Sequence, residues 1–252
     1  MTIPTFLPYY VLLGTAGIIA ALLIGLDRAL ARAHWPVKQR KSIVGIAALI
    51  LVLWLAAAAA LGALGTFQAA ADILPTIQYG VFLPIVVGVL FIWRSETVKR
   101  LIDAVPQAWI VGVQFYRALG VIFLILYAGA ALPGLFAWPA GIGDILIGVL
   151  APVVAIAYAR NPSENGDLVA TWNWFGIFDL IIAVAAGFIT SPSLVQPFEV
   201  NPPNDLITLF PLVLIPTFLV PVSILLHVAS LMKLHRRACG TESRSELSAS
   251  SA

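Results

Sequence analysis

Charge is scarce in this chain. Lys, Arg, Asp and Glu together make up 10% of its 252 residues, against roughly a quarter in soluble domains. That shortage excludes an ordinary water-soluble globule. There is a single cysteine, Cys239, so no disulfide framework can staple the fold. The three histidines, His34, His227 and His235, are widely separated. No Cys, His or acid cluster has metal spacing and no histidine pair suits a haem, so neither a metal nor a cofactor is expected. A phosphate loop, a nucleophile elbow and a dinucleotide fingerprint are all missing, and no catalytic residue is assigned. Asn161-Pro-Ser fails as a glycosylation acceptor because proline takes its middle position.

Apolar side chains are abundant, at 61% of residues with a mean hydropathy of +1.00. A hydrocarbon layer of about 30 Å needs about 20 apolar residues per helix. Seven such runs occur, at 8–30, 42–67, 78–93, 108–132, 138–159, 168–190 and 206–234. They are solidly apolar and do not alternate, which favours helices over a barrel. The third is the shortest and contains Pro84. The expected fold is an all-α integral membrane protein, a seven-transmembrane-helix bundle over residues 1–235, followed by a disordered polar tail at 236–252.

Thirteen of the fourteen basic residues fall in alternate loops and the tail. They are Arg28, Arg32, Lys38, Arg40 and Lys41; Arg94, Lys99 and Arg100; Arg160; and Lys233, Arg236, Arg237 and Arg244. The positive-inside rule then places the N-terminus outside and the C-terminus in the cytoplasm. The expected setting is a bacterial cytoplasmic membrane, with the lipid bilayer as partner and the basic loops available to a cytoplasmic protein. These loop cations account for the net charge of +2 and the pI near 8.8, with no need for nucleic acid. The first run has its positive charges after it, so it reads as a membrane helix and not a cleaved signal.

The runs differ in character. The second has almost no side-chain polarity and reads as a peripheral, lipid-facing helix. The fourth, fifth and sixth carry Gln114, Tyr116, Arg117, Asp144, Asn173 and Asp179 and should face one another. The seventh holds Pro211, Pro216 and Pro221, each of which removes a backbone hydrogen bond and marks a candidate hinge. His227 reads as locally hydrogen-bonded, and Lys233 as lying at the cytoplasmic end.

Two aspartate segments, 141–151 and 176–186, match at six of eleven positions. On each helix the residues sharing the acid's face are small: Gly141, Gly148 and Ala151 for Asp144, and Gly176, Ala183 and Ala186 for Asp179. Such seams let membrane helices approach closely. Consecutive helices run in opposite senses, which would make this a small inverted repeat of the kind many transporters use, although seven helices do not halve evenly. At 1.5 Å per residue, Arg117 lies about 15 Å from the cytoplasmic edge, Asp179 about 18 Å and Asp144 about 24 Å. Matching depth makes Asp179 the expected partner of Arg117, with Gln114 one turn away. Asp144 is then a surplus acid that must be protonated or paired with a bound cation or ligand.

The run Gly141-Ile142-Gly143-Asp144 resembles the Gly-x-Gly-Asp motif of intramembrane aspartyl proteases of the presenilin, signal-peptide-peptidase and prepilin-peptidase types. That resemblance implies an acid–base pair of aspartates, Asp144 with Asp179. In those families the partner acid precedes the motif, whereas Asp179 follows it, and no Pro-Ala-Leu sequence appears. Retinal binding needs a lysine inside the seventh helix, and Lys233 is at its end. "FYRALG" around Arg117 is not the Asp-Arg-Tyr signature of G-protein-coupled receptors. The expected function is therefore binding or translocation of a small solute or proton, in the manner of a transporter or permease. Arg117, Asp144, Asp179, Gln114, Tyr116 and Asn173 would form the site. The alternative is a non-transporting membrane subunit or sensor whose charge network is structural, and a remote one is an aspartyl-type hydrolase.

Overall fold

The computed structural model describes residues 4–194, 196–197 and 199–250, with side chains described as far as 238. The described chain is all-helical. Seven of its helices are long and apolar enough to cross a membrane. The long helices are α1 (Leu7–Arg32), α2 (Val37–Ala63), α3 (Ile77–Arg94), α5 (Gln107–Ala128), α6 (Gly134–Arg160), α7 (Gly166–Thr190) and α8, whose apolar span is Ile215–Ala238. The eighth element, α4 (Glu96–Ala104), falls where the sequence was read as a loop. Ser95 makes that helix possible by accepting the Val98 N–H at 3.3 Å, with Glu96 in the first turn.

α6 packs between α5 and α7, and α8 closes the group against α7 and α3. Glycines set the α5–α6 distance. A Cβ on Gly148 would stand 2.3 Å from the Ala118 backbone nitrogen, so only glycine permits this approach. In α2 only Ala58 and Gly62 are buried, which leaves that helix at the edge of the bundle beside α1.

α5 is not uniformly α-helical. Its middle, Val113–Gly120, is wound as a 3₁₀ helix, longer than such pieces usually run. With three residues per turn, positions 114, 117 and 120 lie in one row, and Gln114, Arg117 and Gly120 are the residues buried there. The tighter winding thus aims glutamine, arginine and glycine at the same neighbours.

The last helix begins later than 206. Leu206–Thr208 is a single 3₁₀ turn, a π-helical segment covers Ile215–Leu219, and α-helix follows from Val220 to Ser250. Prolines explain the delay, because Pro211 and Pro216 have no N–H for a regular ladder. Pro211 therefore lies ahead of the helix, Pro216 in the π segment and Pro221 in the first α-turn. Pro221 also cannot donate to the Thr217 carbonyl four residues back. The Trp54 indole N–H takes that place at 3.2 Å, joining α2 to the irregular segment. At the other end the helix runs as far as Ser250.

Candidate functional site

The site is built around the row of α5 that the 3₁₀ winding turns inward. Arg117 is 3% exposed, and its planar guanidinium is donor-only, so every N–H must find an acceptor. Nε donates to Asp144 Oδ1 of α6 at 2.8 Å, and Nη2 lies 2.8 Å from the same oxygen. Nη2 also donates to Asp179 Oδ2 of α7. Nη1 reaches the Gly176 carbonyl and His227 Nε2 of α8, each at 3.2 Å. One arginine therefore ties four helices together.

The Arg117–Asp179 pair expected from depth is present, and Asp144, expected to stand apart, shares the same guanidinium. Glycines make the convergence possible. A Cβ on Gly120 would sit 2.4 Å from Asp144 Cβ, and one on Gly143 would sit 1.6 Å from Asp179 Oδ1.

His227 is 0% exposed and bonds across helices, not locally as expected. Because arginine only donates, Nε2 must accept, which puts the imidazole hydrogen on Nδ1. Nδ1 then donates to Asn173 Oδ1 at 2.9 Å. Asn173 Nδ2 donates to the Val169 carbonyl at 2.7 Å and to Ser230 Oγ at 2.8 Å. Gln107 Nε2 meets Ser230 Oγ at 2.6 Å. A buried polar chain thus runs Arg117–His227–Asn173–Ser230–Gln107 toward the end that carries the basic loops.

Two of the expected site residues stand beside this chain. Tyr116 and Ser223 share a hydrogen bond of 2.5 Å between hydroxyls. Gln114 Nε2 reaches the Ser223 carbonyl at 3.5 Å and does not touch Arg117. Sequence reasoning passed over Ser223, His227 and Ser230, yet a signal existed. Their spacing of four and then three puts them on one face of α8, and Lys233 extends that face. Lys233 is 1% exposed. Its Nζ donates to the carbonyls of Ile102 and Asp103 at 2.9 Å each, and to that of Val105. These are the open carbonyls at the end of α4.

Space adjoins the charges on one side. A cavity of about 70 Å³ runs from Phe67 and Ile73, at the N-terminal end of the bundle, past Phe136 and Leu180 to Asp144. A second, of about 40 Å³, lies between Thr15, Tyr116, Arg117, Asp144 and Ser223. Asp144, Phe123, Leu180, Ile215 and Val220 line both. Each is roomy enough for water. The Asp144 and Asp179 side chains are 15% and 14% exposed, while that of Arg117 is 1%. The cation is sealed and the acids keep an open edge. Among the described residues no group of three His, Cys, Asp or Glu could hold a metal ion.

No curated protein and no solved structure matches the chain. A family model does: Domain of unknown function (DUF8737) matches residues 74–235, nearly two-thirds of the sequence. The match spans α3 to α8, so Arg117, Asp144, Asp179, Asn173 and His227 all lie inside it, while α1 and α2 precede it. The chain, with seven helices long and apolar enough to cross a membrane, belongs to the DUF8737 family.

Proposed function

We propose that the protein binds and translocates a proton or a small solute at the Arg117–Asp144–Asp179 cluster, entered from the N-terminal end. One observation carries this reading. Asp144 closes the floor of a cavity that starts at that end, in a cluster with two acids and one fixed cation. Both acids ionised would leave one uncompensated negative charge inside the bundle. An uncompensated charge near the centre of a bilayer costs roughly 3 to more than 10 kcal/mol, so a proton or a cationic group is the natural occupant. The charge asymmetry of the loops supports an outward N-terminus in a bacterial cytoplasmic membrane, with entry from outside.

A second reading has its own support. Between the cluster and the basic end, His227, Asn173, Ser230 and Gln107 are at most 2% exposed and hydrogen-bonded in sequence, with Gln107 Oε1 alone lacking a partner among them. A chain that dry suits a non-transporting subunit or sensor, whose basic loops meet a cytoplasmic protein, as well as it suits a relay. The hydrolase alternative gains nothing from the geometry. The two acids converge on a guanidinium that bonds to both, whereas an acid–base pair would have to hold a water and a scissile bond between its carboxyls.

Proton and solute flux in reconstituted vesicles separates the readings. Asp144→Asn should keep the folded yield and abolish flux. Wild-type flux in that variant would remove Asp144 from the function.

A further inference from the structure

A separate feature lies on the outer side of α1, away from the charged cluster. α1 and α5 meet closely at Gly25, where an added Cβ would stand 1.9 Å from the Trp109 ring. On either side of that contact the two helices part. Toward the basic end a cleft of about 320 Å³ is bounded by Gly25, Arg28, Arg32, Pro106 and Trp109. Toward the centre a groove of about 580 Å³ is bounded by Gly14, Gly17, Ala108, Gly112 and Phe115. Ala21 and Trp109 line both, so the two adjoin as a channel along the bundle surface that narrows at the Gly25–Trp109 contact.

Its two ends differ in chemistry. Arg28 and Arg32 are one helical turn apart on the same face. Neither has an ion pair among the described residues, and the neighbouring acid, Asp27, is engaged by Arg40 at 2.8 Å. The rest of the channel is floored by glycine and alanine, and a Cβ on Gly17 would meet nothing within 4 Å. From Arg28 to Gly17 the helix advances about 16 Å at 1.5 Å per residue. That is half of a hydrocarbon layer of about 30 Å, the depth of one leaflet.

We infer that this channel holds one anionic phospholipid, with its phosphate between Arg28 and Arg32 and one acyl chain along Gly17, Ala21 and Gly112. Two free guanidiniums supply bidentate donors that suit a phosphate. The apolar, leaflet-deep continuation selects a lipid over a free phosphate ion. The inference rests on the membrane-spanning character of the chain and is independent of any transport activity.

The test uses the intact protein in phosphatidylcholine nanodiscs carrying a minor fraction of brominated phosphatidylglycerol, or the same fraction of brominated phosphatidylcholine. Trp109 is the reporter, and its share of the fluorescence is the difference between wild type and Trp109→Phe. Half-maximal quenching of Trp109 should need a roughly thirtyfold lower fraction of the anionic lipid, the scale expected of two arginines at a headgroup. Arg28→Gln with Arg32→Gln should abolish that preference. Gly17→Leu, which leaves every charge in place and fills open space, should reduce quenching by both lipids. Equal quenching of wild-type Trp109 by the two lipids would overturn the inference. So would a preference that survives the double arginine substitution, or quenching unchanged in Gly17→Leu.

Discussion

His227 on α8 accepts from Arg117 on α5 at 3.2 Å while donating to Asn173 on α7 at 2.9 Å. The imidazole is therefore the joint through which the last helix holds the charged centre. His227→Ala removes one of the acceptors of Nη1 and leaves a void beside Trp172, whose ring centroid lies 5.0 Å away. A buried donor left without its partner costs about 1–3 kcal/mol. The thermal midpoint in detergent should fall accordingly, and an unchanged midpoint would show that the joint carries no strength.

Arg117 should matter more. Arg117→Gln strands two carboxylates that now share one cation, and breaking a buried pair from one side destabilises by about 3–5 kcal/mol. Adding Asp179→Asn removes one of the stranded charges, so the double variant should be more stable than Arg117→Gln alone, a non-additivity expected of residues in contact. Denaturant melts of the three proteins measure it. A double variant no better than the single one would mean that the ion pair is not what holds these helices.

How much of this was legible follows from the type of signal each residue gives. Hydropathy sees length and apolarity, so the seven spans were readable from composition. The small-residue seams were also readable, because Gly141, Gly148 and Gly176 recur at helical spacing around two acids. Their use was not, since a seam does not say which helix fills it. Gly148 receives the Ala118 backbone and Gly176 receives the His227 ring. Depth counting assumed uniform α-helix, and the 3₁₀ stretch of α5 and the π segment of α8 break that assumption at the charged layer. The burial of Lys233 was not legible either, because the carbonyls at the end of α4 that form its shell belong to a helix the sequence did not announce.

The glycines give a contrast that needs no charge. Gly148→Ala forces a Cβ against the Ala118 backbone and should destabilise by about 1–3 kcal/mol through overpacking. Gly17→Ala meets open space and should be neutral or stabilising by up to about 1 kcal/mol from helix propensity. Thermal midpoints of the two variants moving in the same direction would contradict the packing described.

Asp205 sets a pH dependence outside the membrane spans. Burial pushes its carboxyl above the usual 3.8, and its Oδ1 has no hydrogen-bond partner. The folded chain then holds that proton more tightly than the unfolded chain does. Ionisation works against folding, so this residue's contribution to stability declines as pH rises from about 3.8 through the raised folded value. Asp205→Asn should remove that decline and raise the thermal midpoint at neutral pH. An acid limb of the stability curve identical to wild type would show that Asp205 does not contribute.

In the proposed function, the cluster is reached from the N-terminal end through the cavity above Asp144. Ala183 lines that cavity, so Ala183→Cys with Cys239→Ser places the one thiol on its wall. In vesicles of known orientation, a membrane-impermeant charged thiol reagent added on the N-terminal side should stop proton or solute flux, and the same reagent on the basic side should leave it unchanged. Complete labelling from the N-terminal side with undiminished flux would contradict the account.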